Sequence, residues 1–151
     1  MDKRLTWNPH TRLKRQETAR RYRLLQHLLD KRSKLPINYK RLIYMTVIRP
    51  IWTYGVVLSG STKPSNSSRI QSLQSKILRK ILNAPYFVTN KLIHKDLNIT
   101  YVSDLAQTRY QSFHSKLHNH SNPLVSQLSS HSIPDDPLRR LKRRWPRDLL
   151  I

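Results

Sequence analysis

The sequence predicts an all-α protein, a small bundle of about four to five helices with a kinked central helix and a loose basic C-terminal tail. Three observations predict it. Only 2 of the 151 residues are glycine. The chain draws heavily on Leu, Arg, Lys and Gln, which lose little side-chain freedom in a helix. Apolar residues recur at helical spacing, most regularly at Ile70, Leu73, Ile77, Leu78 and Ile81. With 37% hydrophobic and 25% charged residues, one modest core built from amphipathic elements is expected.

The first helix begins at Asn8-Pro9, because Asn can cap and proline in the first turn surrenders a donor that has no partner there. It runs to about Asp30, with an apolar stripe of Leu24, Leu25, Leu28 and Leu29 in its second half. Its first half is dominated by Arg12, Lys14, Arg15, Arg20, Arg21 and Arg23. A second helix starts near Pro36 and is apolar nearly all round at Leu42, Ile43, Met45, Val47 and Ile48, as a central buried helix would be. Pro50 removes its own N–H and crowds the carbonyl of Thr46, so a kink is expected between them, at ~3 kcal/mol in an unadapted helix. Both glycines follow this kink. Gly55, on one face with Ser59, suits a close backbone approach, and Gly60 suits a left-handed helix stop.

The cluster STKPSNSS then reads as a turn. The third helix carries the periodic stripe named above and ends before Pro85, with Arg69, Lys76, Arg79 and Lys80 on its other face. A short helix follows in TNKLIHKDL, capped by Thr89 or Asn90, and a longer one capped by Thr100, with Val102, Leu105, Ala106, Phe113 and Leu117 inward. Residues 1–120 therefore form the helical domain. Residues 121–136, rich in Ser, His and Pro, form a connection with a turn of helix near Pro123 to Leu128, and residues 137–151 a basic tail.

Charge is the strongest compositional signal: 29 Lys plus Arg against 8 Asp plus Glu give a net +21. Between residues 101 and 138, however, 2 basic groups face 3 acidic ones. A chain so self-repulsive calls for a polyanion, RNA or DNA ahead of an anionic membrane. No apolar run approaches the ~18 to 20 residues that span a bilayer, so no membrane partner is expected. The residues expected to contact nucleic acid are Arg12, Lys14, Arg15, Arg20, Arg21 and Arg23, then the tail run Arg139, Arg140, Lys142, Arg143 and Arg144, with Lys76, Arg79 and Lys80 secondary. Trp52 and Tyr54 read as core, Trp145 as a stacking side chain or one docked on the fold.

Catalytic chemistry finds little footing. The eight acids are scattered, and two glycines cannot build a phosphate-cradling loop. The chain has no cysteine, and His114, His118 and His120 read as polar-face residues of a helix end. No catalytic residue, metal ligand or cofactor is assigned.

Several stretches read together: DKRLTWNPH, YKRLIYMTVIRPIWTYG, RIQSLQSKILRKILNAPYFVTNKLIHKDLNI and LRRLKRRWPRDL. In this order and spacing they resemble the C-terminal part of the reverse transcriptases of jockey-like non-LTR retrotransposons. The resemblance implies that the first stretch, with Asp2, Leu5 and Trp7 matching a family pattern, opens the helical thumb. It also implies that the metal-binding Asp-Asp motif belongs to an upstream palm without a match here. Ser59 stands where the family usually has Trp. The expected function is a non-catalytic, sequence-tolerant nucleic-acid-binding module, from a truncated element or a domesticated host protein. Two alternatives stand beside it: a domesticated nuclear module that binds a host protein, and a fragment of an active polymerase whose palm is supplied elsewhere. The Arg139 to Arg144 run suggests a nuclear location, with the cytoplasm as a further compartment.

Overall fold

The computed structural model describes residues 7–130 and 149–150. Among them every regular element is helical: α1 (Asn8–Leu29), α2 (Ile37–Ile43), a π-helical turn (Tyr44–Ile48), α3 (Arg49–Thr53), α4 (Val56–Ser59), α5 (Pro64–Leu82), α6 (Asn90–Asp96), α7 (Val102–Leu117) and α8 (Pro123–Ser126) with a 3-10 turn (Gln127–Ser129). Of the basic tail only Leu149 and Leu150 are described, and Leu149 is buried beside Gly60.

α1 and α5 are the long elements and pack side by side. Asn8 bonds Arg69 at one end, and Asp30 feels the charge of Lys80 at the other, so the two helices run parallel. Asn8 is not the cap of α1. Trp7 holds that position with a left-handed φ of 58°, and Pro9 falls within the first turn. At the far end Lys40, 5% exposed, turns its ammonium back to the carbonyls of Asp30 (2.8 Å) and Ser33 (3.3 Å), meeting oxygens the helix leaves open.

The kink expected before Pro50 is present as the π-helical turn. The N–H of Arg49 reaches the carbonyl of Tyr44, one residue further back than in an α-helix. This wider turn makes room for the Pro50 ring where the carbonyl of Thr46 would otherwise crowd it. The segment is less buried than its apolar pattern suggests: Tyr44 and Ile48 are in the core, whereas Leu42 and Val47 are exposed.

The two glycines exchange the roles the sequence suggests. Gly55 has φ +68° and nothing within 4 Å of where a Cβ would stand, so it supplies the left-handed link between α3 and α4. Gly60 has an ordinary helical φ of −65° and is the close approach. A Cβ there would lie 2.7 Å from the Val56 carbonyl and 2.9 Å from the Ala106 Cβ on α7.

α5 starts inside the expected turn cluster, with Pro64 in its first turn and buried Asn66 bonded to Thr62. It ends at Asn83, φ 51°, with Asn83 N–H to the Lys80 carbonyl and Ala84 N–H to that of Arg79. α6 repeats this stop at Asn98, and Thr89 caps its start by accepting from Leu92 N–H. The main core joins Leu29, Tyr44, Ile48, Ile77, Leu78, Ile81, Ile93, Leu97 and Ile99, and a second cluster joins Trp52, Val102 and Leu105. Tyr54, expected in the core, is 72% exposed.

Thr100 does not cap α7. Its hydroxyl accepts from Arg49, and the first N–H of the helix, at Val102, goes to Gln71 Oε1 at 2.8 Å. Gln71 Nε2 then meets His94 Nε2 at 3.1 Å, and His94 Nδ1 meets the Ile99 carbonyl at 2.8 Å. A carbonyl only accepts, so the proton of His94 is on Nδ1 and Nε2 accepts from Gln71. Tyr101 stacks on the imidazole at 4.1 Å. Further along α7, His114 is buried and Phe113 is 45% exposed, the reverse of the expectation for Phe113.

Candidate nucleic-acid interface

α1 is divided lengthwise. Its core side is Thr11, Thr18 and Leu29, with Tyr22 and Leu25 beside them. The two threonine hydroxyls return to the carbonyls of Trp7 and Lys14, which leaves their methyl groups to pack. At 100° per residue the six cations of this helix fall on three sides of it. Arg12, Arg15 and Arg23 lie on the flank toward α5, Arg20 faces away from the core, and Lys14 and Arg21 lie on the opposite flank. Lys14 is committed locally: it pairs with Glu17 at 3.0 Å and lies over the Tyr54 ring at 5.1 Å.

α5 presents a matching row. Arg69, Lys76 and Lys80 are 7 and 11 residues apart and share one exposed flank, with Ser72 between them. Between the rows lies an open groove of about 640 Å³ lined by Asn8, Arg12, Arg15, Arg69 and Ser72. Arg69 is steadied in it by Asn8 Oδ1 at 3.1 Å. No carboxylate lines the groove. Guanidinium forks of this kind match phosphate oxygens two at a time, and their charge does not titrate away.

Arg79 is placed differently from its neighbours. Its guanidinium bonds the carbonyls of Pro85 (2.6 Å) and Val88 (2.7 Å) and Asn90 Oδ1 (3.0 Å), so it organises the α5–α6 loop. Arg139, Arg140, Lys142, Arg143 and Arg144 lie outside the described residues, as does Trp145.

Two features escape the sequence reading. Arg69 belongs in the groove, which only the parallel pairing of α1 with α5 reveals. Arg109, in the near-neutral segment, joins a second positive cluster. Burial pulls the Arg49 pKa down against the opposing influence of Tyr44, and the like charges of Arg109 and Arg41 pull it further. Among the described residues no three His, Asp or Glu side chains gather as a metal ion requires, and no helix is long and apolar enough to cross a membrane.

The chain is similar over nearly its whole length to polymerases of mobile elements. It is 35% identical to the probable RNA-directed DNA polymerase from transposon BS of Drosophila melanogaster, over 95% of this chain and 16% of that protein. The probable RNA-directed DNA polymerase from transposon X-element of the same fly is 37% identical over 99% of the chain and 16% of its own length. The RNA-directed DNA polymerase from mobile element jockey, also of Drosophila melanogaster, is 30% identical over 99% and 17%. The chain thus spans about a sixth of the length of these relatives. No protein-family model and no solved structure matches it.

Proposed function

We propose, from this kinship with a part of non-LTR retrotransposon polymerases, that the chain is a non-catalytic module that holds RNA or DNA by its backbone with little sequence preference, as a polymerase thumb does, and that it works in the nucleus. The observation that carries the reading is the groove between α1 and α5, where Arg12, Arg15 and Arg69 converge with no carboxylate among the lining residues. The rows extending from it, Arg23 on α1 and Lys76 and Lys80 on α5, follow the two parallel helices and suit a continuous phosphate chain. Phosphates carry no base identity, so contacts of this kind position a strand without reading it. The relatives' lengths favour a second reading, in which this module acts beside a palm domain as part of an active polymerase. In both readings the role of this chain's own residues is grip.

The test is binding measured against salt. Log K should fall linearly with log salt for the native chain on duplex DNA, and replacing Arg12, Arg15 and Arg69 together by Gln should flatten the slope by about 2 to 3, at about 0.9 per phosphate contact. Replacing Arg20 and Arg21, which lie off the groove, should flatten it less. Equal effects from the two sets, or a slope indifferent to both, would show that the groove is not where the backbone lies.

A further inference from the structure

We propose that Tyr86 and Phe87 form a stacking platform for unpaired nucleobases, so that the chain engages single-stranded nucleic acid by its bases as well as by its phosphates. The inference rests on the nucleic-acid reading above and adds to it a ligand class and a site. Tyr86 is 93% exposed, more than any other large apolar side chain among the described residues, and Phe87 is 71% exposed. They are adjacent in the α5–α6 loop, with ring centroids 5.7 Å apart and planes at 81°. Two flat faces at nearly a right angle make a corner: a base lying on one ring meets the edge of the other.

The loop that displays them is not slack. Arg79 ties its two ends through the carbonyls of Pro85 and Val88, the Val88 N–H closes a turn onto Pro85, and Asn83 fixes the exit from α5. Both rings are thus held out to water by a backbone that is fastened down beneath them. Rings left out in this way are available to a partner, and the surrounding charge says which. The loop is bounded by Lys76 and Lys80 on α5 and by Lys91 and Lys95 on α6, all exposed, and no Asp or Glu occurs between Asp30 and Asp96. Exposed aromatic faces on a loop whose flanking helices carry exposed cations are the pairing that single strands need, because every base has a face to stack and every linkage a charge to neutralise. Lys80 also belongs to the α5 row, which leads from Arg69 in the groove toward the end of the helix that carries this loop.

Fluorescence anisotropy on the whole chain tests this with four probes: labelled oligo(dT) and oligo(U) of about 12 nucleotides, an abasic strand with the same phosphates, and a duplex. The double variant Tyr86→Ala/Phe87→Ala should melt like the native chain, since both rings are in water. It should bind the base-bearing strands roughly 5- to 100-fold more weakly, with the abasic strand, the duplex and the salt slope unchanged. Tyr86→Trp/Phe87→Trp should retain binding. An equal loss on the abasic strand, or no loss on any probe, overturns the platform and leaves the backbone grip standing; the second result would turn these rings toward a protein surface. Failure of the native chain to bind any of the four probes overturns both.

Discussion

Gln71→Leu removes the polar end of a half-buried side chain and, with it, the partners of three groups at once. The Val102 N–H loses the Oε1 that stands in for a helix cap, His94 Nε2 loses its donor, and Ser75 Oγ loses a partner at 3.2 Å. Val102, His94 and Ser75 are all buried, at 5%, 3% and 7% exposure, so water is a poor replacement for what is lost. A buried group left unpaired costs ~1–3 kcal/mol. Some of the three will find relief, and the leucine adds apolar contact, which puts the net cost at roughly 2–4 kcal/mol of a total of about 5–15. For a chain of this size a thermal melt should fall by about 5–15 °C. Gln71→Glu separates the parts of the network. Its carboxylate keeps the Val102 bond but cannot donate to a neutral imidazole, so it should recover part of the loss. A melt of Gln71→Leu within about 1 °C of the native chain would mean that the chain of bonds from α7 through Gln71 to α6 contributes nothing, and that the start of α7 is held by packing alone.

The glycines give a second test. Gly60→Ala should destabilise by ~1–3 kcal/mol through overpacking against α7, whereas Gly55→Asn should be mild because Asn tolerates the left-handed conformation; chemical denaturation ranks them, and the opposite order would refute the assignment. Tyr44 gives a third. Burial, only partly offset by its Trp52, Arg49 and Gln74 neighbours, pushes its phenol from 10.0 up to about 12. A raised folded-state pKa stabilises fully below pH 10 and loses that contribution as pH rises through about 12. The stability of the native chain relative to Tyr44→Phe should therefore fall by ~2–3 kcal/mol across that window. The paired comparison cancels what the two chains share, and a difference constant with pH would show that Tyr44 is not held neutral.

The parts of this fold that were legible in the sequence are those fixed by local periodicity. The α5 stripe and the inward positions of the first half of α7 stand where the spacing puts them, because a single packing face suffices for them. Polar side chains in the core were not legible. Thr11, Thr18, Lys40, Gln74 and His94 are buried and Gln71 half-buried because each finds its hydrogen bonds inside the fold: the threonines on carbonyls four residues back, Gln71 on Val102, Gln74 on the Thr100 carbonyl. Hydropathy assigns such residues to the surface. Phe113 and His114 exchange places for a related reason. α7 packs first on α4 and α5 and then on the turn at Gln127–Ser129, so its buried side rotates along its length. The glycine roles were misassigned because φ and the nearest neighbour of a Cβ are both tertiary facts.

The candidate site shows the same division. Its charge was legible; its grouping was not. Counting along α1 gives six cations of equal standing, yet the fold sets Arg12 and Arg15 against Arg69 and turns Lys14 to Glu17 and Tyr54. The residues that decide this are uncharged. Thr11 and Thr18 are short, and the spacing of packed helices follows the size of the side chains between them. Threonines at these positions let α1 settle close to its neighbours, which brings the two rows of cations to opposite walls of one groove. Like charges so gathered repel, and the repulsion is relieved when a polyanion occupies the groove. Larger residues at positions 11 and 18 would spread the same charges over two separate helices, with less repulsion to relieve and less to gain from a strand. On the proposed function, the grip of the module is therefore set by its polar core as much as by its basic surface.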